Sequence, residues 1–193
     1  TIPELHPCRL KTEVTRSGNA RKVYLYLDEF TKYHEPQLAQ SLIDLLQGLG
    51  YIVIVPDLCE SGRAAISKGC LKLARKLALK NVSKALEFVD EDAPLIGIEP
   101  SCILTFRDEY PDLVPPQMRS KARKLAENCL LYDEFFMREV NAGRISAEQF
   151  KEDACEIWLH GHCHQKALVG IEQTAAMLKL LKGAKVNVIP SGC

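Results

Sequence analysis

Short apolar runs alternate with amphipathic stretches along most of the chain. Five runs are rich in β-branched or aromatic residues and are bounded by glycine, proline or charged residues, which is typical of buried strands. They cover residues 23–27, 51–55, 94–98, 157–159 and 186–189. Between the first two runs, leucines recur at helical spacing in a stretch that begins at Pro36 and stops at Gly50. The alternation predicts an α/β fold with parallel strands and helices on both faces of the sheet.

The other helical patterns are longer. The sequence predicts one helix over residues 63–89, with Cys70 inside it, and another over residues 115–139, which contains Cys129. A third helix is predicted over residues 165–181. In this interpretation Cys70 and Cys129 are apolar packing residues without a chemical role.

Composition narrows the class of protein. The chain has 193 residues, of which 47% are apolar and 26% charged, and its formal net charge is zero. A neutral chain provides no field that would recruit nucleic acid or an anionic membrane. No apolar run approaches the roughly 20 residues of a membrane span, and the polar, proline-containing start lacks the pattern of a signal peptide. A cytoplasmic, reducing setting is therefore predicted.

Cysteine is frequent for such a setting. There are eight cysteines, and no two are closer than eight residues, so the chain has no Cys-x-x-Cys pair and no ferredoxin-like run. Disulfides are typical of small secreted scaffolds rather than of this class. The cysteines are therefore either buried apolar residues or ligands brought together from distant loops.

One loop concentrates candidate chemistry. His160, His162, Cys163 and His164 directly follow the strand predicted over residues 157–159. Imidazole and thiolate are ligands for zinc, copper or iron, and α/β sheets place their chemistry at the carboxyl ends of strands. The alternative interpretation is that some of these histidines only hydrogen-bond the loop.

Further candidates follow the first three strands. Glu29, Cys59, Glu60 and Cys102 are predicted to converge, because the carboxyl ends of neighbouring parallel strands meet at one edge of a sheet. Cys102 would lie in the first turn of a helix, where the macrodipole favours the thiolate form. These four residues are therefore candidate metal ligands, as is the pair Cys163 and Cys193 at the second such edge.

Two segments share one spacing. In each, a lysine precedes a proline by 24 residues and a cysteine follows the proline by three; the two sets are Lys32, Pro56, Cys59 and Lys166, Pro190, Cys193. Aligned in this way, Glu29 falls opposite Cys163. The shared frame predicts a tandem pseudo-repeat of two related Rossmann-like halves. The predicted domains are an amino-terminal arm (1–20), a first half (21–145) and a second half (150–193) whose carboxyl-terminal end is truncated.

Two motifs carry a resemblance to a known family. Residues 97–110, GIEPSCILTFRDEY, and residues 160–166, HGHCHQK, resemble the cysteine-rich tandem domain called CCG. That domain occurs in heterodisulfide reductase, in the glycolate oxidase iron–sulfur subunit and in anaerobic glycerol-3-phosphate dehydrogenase. The chain is most similar to the carboxyl-terminal region of FAD-linked D-lactate or glycolate dehydrogenase-type oxidoreductases. The resemblance covers nearly all of residues 21–193.

The resemblance implies a cofactor and a ligand set. In the CCG domain, cysteines hold a 4Fe-4S type of cluster, and Cys163 matches the early cysteine and Cys193 the first cysteine of the Cys-Cys-Gly motif. The cysteine that would follow Cys193 is absent, so residues 1–193 are expected to hold no complete cluster. In the first half Glu29 stands where the early cysteine is expected. Cys59 and Cys102 are the remaining ligands there, and a cluster at that site is doubtful.

The predicted function is the electron-transfer region of a flavin-dependent 2-hydroxy-acid dehydrogenase. The resemblance implies FAD in a flavin domain outside this chain. It implies as partners that domain and a ferredoxin-like domain, with a peripheral membrane electron acceptor as a candidate. One alternative is a mononuclear zinc or iron site that draws its ligands from the histidine loop together with Glu29, Cys59 and Cys102. Another is a structural docking domain that has lost its metal. The fragment alone is expected to be inactive.

Overall fold

The structure is a computed structural model that describes residues 10–12 and 20–192. The predicted arm and Cys193 therefore lie mostly or wholly outside the described residues. The strands are β1 (Lys22–Tyr26), β2 (Ile52–Ile54), β3 (Leu95–Gly97), β4 (Cys129–Leu131), β5 (Glu156–Leu159) and β6 (Lys185–Val188). The α-helices are α1 (Glu29–Tyr33), α2 (Pro36–Gly48), α3 (Arg63–Ser67), α4 (Leu71–Ala85), α5 (Pro100–Arg107), α6 (Tyr110–Leu113), α7 (Arg119–Ala126), α8 (Tyr132–Asn141), α9 (Cys163–Leu168) and α10 (Glu172–Leu178).

The chain divides into two compact units, the first ending at Leu131 and the second beginning at Tyr132. In the first unit four parallel strands form a sheet in the order β2-β1-β3-β4. The chain moves from β1 outward to β2 and then crosses back to the other side of β1 to form β3. The strand order thus reverses between β1 and β3, and the carboxyl ends of these strands flank the crevice where open α/β sheets bind ligands.

Burial explains why these segments form the sheet. Leu25 in β1 and Val53 in β2 are buried, and β3 is buried along its whole length. Each fully buried aliphatic side chain of this kind contributes roughly 1.5–3 kcal/mol relative to an exposed one. Helix α2 packs on β2 and places Ile43 and Leu46 in the core. The first unit therefore has the apolar interior that a parallel sheet requires.

Three predicted helices are wrong in their continuity. The helix over 63–89 is broken at Gly69, whose φ of 72° ends α3, and Cys70 becomes the N-cap residue of α4. The helix over 165–181 is broken at Gly170, where φ is 77°. A left-handed glycine is a common helix terminator, and each break here follows directly from one.

The predicted helix over 115–139 is wrong for a different reason. Strand β4 interrupts it and pairs with β3, with Leu95 opposite Cys129 and Gly97 opposite Leu131. A three-residue apolar run does not distinguish a strand from a helix, so the partner strand decides the outcome. Cys129 is fully buried, as expected of a packing residue, but it belongs to the sheet.

The second unit contains α8, β5, α9, α10 and β6. The two strands are parallel, with Glu156 opposite Lys185 and Leu159 opposite Val188. Near the end of α8, Arg144 donates to both carboxyl oxygens of the buried Glu139, at 2.6 and 2.9 Å. Helix α10 packs against α8 and β6. The predicted strands over 157–159 and 186–189 are thereby confirmed to within one residue.

The predicted α/β class with parallel strands is confirmed in both units. Across the part of the chain that the structure describes, every helix falls short of the length and apolar character needed to cross a membrane.

A close approach between β3 and α5 leads to the first prediction. A Cβ atom added at Gly97 would lie 2.5 Å from the Cβ atom of Ile103, so the backbone of β3 or of α5 would have to shift. We expect Gly97→Ala to lower the free energy of unfolding by about 2 kcal/mol, the usual cost of overpacking a core. Urea unfolding followed by circular dichroism measures the change.

Gly48→Ala is the matched control. Gly48 is the last residue of α2, its Cβ position is open, and it does not have a positive φ. Alanine there should be neutral or slightly stabilising, since it favours helix more than glycine does. Equal stability of the two variants would contradict the proposed close contact at Gly97.

Candidate functional site

The candidate site of the first unit lies at the carboxyl ends of β1, β2 and β3. Asp28 caps α1 after β1 by accepting hydrogen bonds from the amides of Phe30 and Thr31, and Glu29 is the first residue of that helix. Glu99 caps α5 after β3 in the same manner, which places Cys102 in the first turn. The site therefore occupies the point where the strand order reverses.

Ser61, in the loop after β2, joins two of the predicted ligands. Its backbone amide donates to Glu29 Oε2 at 3.3 Å, and its hydroxyl lies 2.8 Å from Glu29 Oε1. The same hydroxyl lies 3.4 Å from Cys102 Sγ, within hydrogen-bonding distance. Glu29 and Cys102 therefore both contact the hydroxyl of Ser61, which stands two residues after Cys59. In this way the residues after β1 and β3 come together, as the adjacency of the strand ends predicted.

The directions of these hydrogen bonds follow from the number of protons available. A hydroxyl has one proton and two lone pairs. Ser61 Oγ donates its proton to Glu29 and accepts from the amide of Arg63 at 3.1 Å, so its second lone pair faces Cys102. The Cys102 thiol is therefore the donor toward Ser61. The result is a continuous chain from thiol to hydroxyl to carboxyl group, with the serine fully satisfied.

Burial controls the charge state of Cys102. The thiol is fully buried, and burial raises its pKa, with Glu29, Asp28 and Glu99 raising it further. The sequence-based expectation of a thiolate is therefore wrong. A helix dipole contributes about 0.3–1 kcal/mol, whereas desolvation of a buried charge shifts a pKa by up to several units.

Buried side chains hold the backbone of the Cys59–Ser61 loop. Asn81 in α4 accepts from the Cys59 amide at 2.8 Å through Oδ1 and donates to the Glu60 carbonyl at 3.0 Å through Nδ2. The hydroxyl of Tyr110 donates to the Ser61 carbonyl at 2.9 Å, and Asn81 Nδ2 lies 2.8 Å from that hydroxyl. The backbone of the Cys59–Ser61 loop is therefore held by the side chains of Asn81 and Tyr110.

Aromatic packing supports this arrangement. Phe106 lies between two tyrosines, with ring centroids 4.9 Å from Tyr26 and 4.4 Å from Tyr110. The Tyr26 hydroxyl donates to the Cys59 carbonyl at 3.0 Å. Burial raises the pKa of both tyrosines, so each stays a protonated donor. The loop is therefore fixed from the core side by neutral groups.

The four predicted ligands of the first unit differ in exposure. Cys102 is buried, Glu29 and Cys59 are half-buried, and Glu60 is exposed. All four belong to the described residues, and no three of them bring ligand atoms within 4.8 Å of one another. What the structure brings together is Glu29 and Cys102, with a serine hydroxyl between them.

The histidine loop of the second unit connects β5 to α9. His162 caps α9, its Nδ1 atom accepting from the amide of His164 at 3.2 Å, and Cys163 is the exposed first residue of the helix. Gly161 is buried, and a Cβ atom there would lie 2.5 Å from Cγ2 of Ile171. The tight turn therefore requires glycine between the first two histidines.

A buried carboxyl group anchors α9. Asp133 in α8 accepts from Gln165 Nε2 at 2.9 Å and from the Thr174 hydroxyl of α10. Burial raises the pKa of Asp133. The hydrogen bonds from Thr174, from the Glu134 amide and from Gln165 lower it, but burial has the larger effect. Gln165 stands two residues after Cys163, so this network sets the position of the helix that carries the candidate ligand.

The candidate ligands of the histidine loop are exposed or half-buried and do not form a cluster. His160, His162 and Cys163 are exposed and His164 is half-buried. The structure describes all four, and no three of them bring ligand atoms within 4.8 Å of one another. Cys155 precedes β5 and lies at its other end, roughly 13 Å away for a four-residue strand. Cys193 falls outside the described residues.

Sequence reasoning missed the residues that position the site. They are Ser61, Asn81, Tyr110, Asp133 and Thr174. One signal was present for Asn81, a polar residue on the face of α4 that otherwise buries Ala74, Ala78 and Val82. Tyr110 ends the motif of residues 97–110, and the other three have no local signature, because their partners lie at distant positions in the chain.

Comparison with known proteins gives relatives that are all dehydrogenases or dehydrogenase subunits. The chain is 31% identical over 110 residues to a D-2-hydroxyglutarate dehydrogenase of Pseudomonas putida, a match to 57% of this chain and 10% of the relative. It is 29% identical to the corresponding enzyme of Pantoea ananatis, over 93% of this chain and 17% of the relative. It is 26% identical to one of the subunits of the anaerobic glycerol-3-phosphate dehydrogenase of Escherichia coli, over 85% of this chain and 40% of the relative.

The chain corresponds to a section of oxidoreductases of the dehydrogenase type. It spans between 10% and 40% of the length of these relatives. No protein-family profile matches the chain, and no solved structure matches it.

Proposed function

We propose that this chain is the electron-transfer region of a flavin-dependent dehydrogenase that oxidises a 2-hydroxy acid. The observation that carries the proposal is the similarity to D-2-hydroxyglutarate dehydrogenases over up to 93% of the chain. The match to one subunit of a glycerol-3-phosphate dehydrogenase supports a section that works beside other subunits or domains of an oxidoreductase. The proposed partners are that FAD domain and a ferredoxin-like domain, and the proposed setting is the cytoplasm.

The proposed iron–sulfur centre belongs to the second unit. Cys163 is exposed and is the first residue of α9, directly after the loop that follows β5. It and Cys193 would supply two of the about four thiolates that such a centre requires. When bound, the centre supplies one-electron transfer. The part of this chain is to present the two thiols and to hold the loop between β5 and α9 in place.

In the first unit the donor set does not fit an iron–sulfur centre. A carboxyl group and a hydroxyl, Glu29 and Ser61, stand beside Cys102, whose thiol is kept protonated by burial. Iron–sulfur clusters prefer thiolates, and the groups beside Cys102 here are a carboxyl group and a hydroxyl. The satisfied hydrogen-bond chain favours a structural role for this unit, such as docking a neighbouring domain. Glu29, Cys59, Glu60 and Cys102 stay predicted ligands for another metal only.

We further propose that the two units are related halves. Glu29 and Cys163 are 134 positions apart, and each is the first residue of a short helix that follows a strand. The same shift carries β5 onto residues 22–25, within β1, and β6 onto residues 51–54, which include β2. The strand registers differ by one residue, since Lys22 pairs with Ile52 whereas Glu156 pairs with Lys185.

A serine substitution tests the cluster proposal. We expect protein expressed anaerobically from the complete natural reading frame to show broad absorption near about 400 nm after reconstitution with ferrous iron and sulfide. Cys163→Ser should lose most of this absorption and its acid-labile sulfide, because a ligand is removed. Cys70→Ser is the matched control, since Cys70 is also exposed and lies in the other unit.

The outcomes separate the alternatives. Equal iron and sulfide in Cys163→Ser and Cys70→Ser would contradict the assignment of Cys163. Stoichiometric zinc without sulfide would select the mononuclear site instead. A metal-free protein that still oxidises its substrate with an artificial acceptor would select the docking role.

A further inference from the structure

Basic side chains are concentrated on two helices of the first unit. Neither α4 (Leu71–Ala85) nor α7 (Arg119–Ala126) contains an aspartate or a glutamate. Eight of their lysines and arginines are exposed and form no ion pair with another described residue. We call these eight residues the basic face: Lys72, Arg75, Lys76, Lys80, Arg119, Lys121, Arg123 and Lys124.

The two helices that carry the basic face lie side by side. The chain crosses the sheet in one direction from β2 to β3, through α4, and then from β3 to β4, through α7. Right-handed crossovers in the same direction place their helices on the same side of a sheet. Accordingly α4 packs against α7, and α6 packs against both. Since Ala78, Val82 and Leu125 are buried, the basic residues occupy the outer side of one helical layer.

The neutrality of the whole chain conceals this concentration of charge. Of 25 basic and 25 acidic residues, the basic face takes eight basic and no acidic ones, so seventeen basic and 25 acidic residues remain elsewhere. The exposed acidic residues Glu87 and Glu127 follow the two helices and mark the borders of the face. A surface cluster of one sign produces a local potential that attracts opposite charge. Net charge therefore does not describe this face.

The basic face works against the stability of α4. Lys72, Lys76 and Lys80 follow one another at intervals of four residues, and like charges at this spacing destabilise a helix. A glutamate in place of one of them would instead pair with the next lysine. A partner of opposite charge relieves this repulsion when it binds, so the pattern suits an interface.

The exposed apolar residues of the face favour a protein as the partner. Leu73 and Leu79 lie among the lysines of α4 and are 49% and 37% exposed. They offer apolar contacts that a phosphate backbone cannot use. A helix that lies in a membrane surface needs an apolar side free to enter it, whereas the apolar sides of α4 and α7 are buried in the core. A charged surface with few apolar contacts is typical of transient complexes, in which charge steers the encounter.

We propose that the basic face is the docking surface for the acidic surface of a separate protein that binds transiently. That this partner carries electrons rests on the proposed function, whereas the sign of its charge follows from the face alone. Helix α4 also bears Asn81, which hydrogen-bonds the backbone of Cys59 and Glu60. The partner therefore docks on the helix that supports the candidate site of the first unit.

The test titrates a plant-type ferredoxin, a small acidic electron carrier, into protein from the complete natural reading frame. Calorimetry should show binding at about 0.01 M salt that is lost at about 1 M, where the Debye length falls to roughly 3 Å. The combined variant Lys72→Gln, Lys76→Gln and Lys80→Gln should bind about tenfold more weakly at low salt, because it loses the steering charges. The matched control removes the same charge from exposed positions outside the face, with Lys22→Gln, Lys151→Gln and Lys179→Gln, and should stay within about twofold of the wild type.

A second variant tests the other helix of the face. Lys121→Gln combined with Lys124→Gln should weaken ferredoxin binding about threefold, since two charges of α7 are removed. Glutamine and lysine have similar helix propensities, so both face variants should fold like the wild type. Circular dichroism checks this point.

Every outcome bears on the docking surface. Equal losses in the face variants and in the control would overturn it, because net charge alone would then attract the probe. Absence of ferredoxin binding at low salt would overturn it as well. Binding of phosphatidylserine vesicles instead of ferredoxin, lost in the α4 variant, would make the face a lipid-binding surface. The iron and sulfide content is measured separately, so failure of the docking surface leaves the proposed cluster standing, and absence of a cluster leaves the docking surface standing.

Discussion

Asn81→Ala should lower the free energy of unfolding of the first unit by about 3 kcal/mol. The side chain hydrogen-bonds the backbone of Cys59 and Glu60 and the hydroxyl of Tyr110. A single hydrogen bond contributes about 0.5–1.5 kcal/mol, and a buried group left without its partner costs about 1–3 kcal/mol. Alanine removes every one of these bonds and leaves a cavity behind the Cys59–Ser61 loop.

Hydrogen exchange localises this effect. Amides of β1 and β3 should exchange faster in Asn81→Ala, because their protection reflects the stability of the first unit. Ser83→Ala is the matched control, since Ser83 is exposed on the same helix. The alkylation rate of Cys102 should rise in Asn81→Ala alone, as the loop above it loosens. If the two variants exchange alike, Asn81 does not organise the loop.

Asp133→Ala should destabilise the second unit by a similar amount, about 3 kcal/mol. The substitution removes the acceptor for Gln165 and for the Thr174 hydroxyl, and both donors are buried. Two unsatisfied buried donors account for this magnitude. Urea unfolding followed by the fluorescence of Trp158, the single tryptophan, reports on the unit that contains it. Glu134→Ala, at the neighbouring half-buried residue, is the control.

The stability should also depend on pH through Asp133. Burial raises the pKa of this carboxyl group in the folded protein above its ordinary value of 3.8. Protonation therefore favours the folded state, and the resulting stability is complete below pH 3.8 and is lost as the pH rises through the folded pKa. Compared with Asp133→Asn, which does not titrate, the wild type should gain stability as the pH falls from about 7 toward about 4. A difference that stays constant over this range would contradict the raised pKa.

The sequence by itself determined most strands of the sheet and which residues meet at the carboxyl ends of β1 and β3. Apolar runs bounded by turn residues predicted five of the six strands found among the described residues, because a buried parallel strand must be apolar on both faces. The same topology predicted that residues after β1 and β3 would meet, and Glu29 and Cys102 do so through Ser61. These features follow from local pattern and from the adjacency of parallel strand ends.

Tertiary structure decided what depends on distant partners. Strand β4 exists because β3 pairs with it, although its three residues are equally compatible with a helix. Ser61 contacts Glu29 and Cys102, which are 32 and 41 positions away, and no local pattern encodes such contacts. The Cys102 thiol stays protonated because burial outweighs the helix dipole, and burial is a property of the folded core. The sequence thus proposed the reactive groups, while packing decided their partners and their charge.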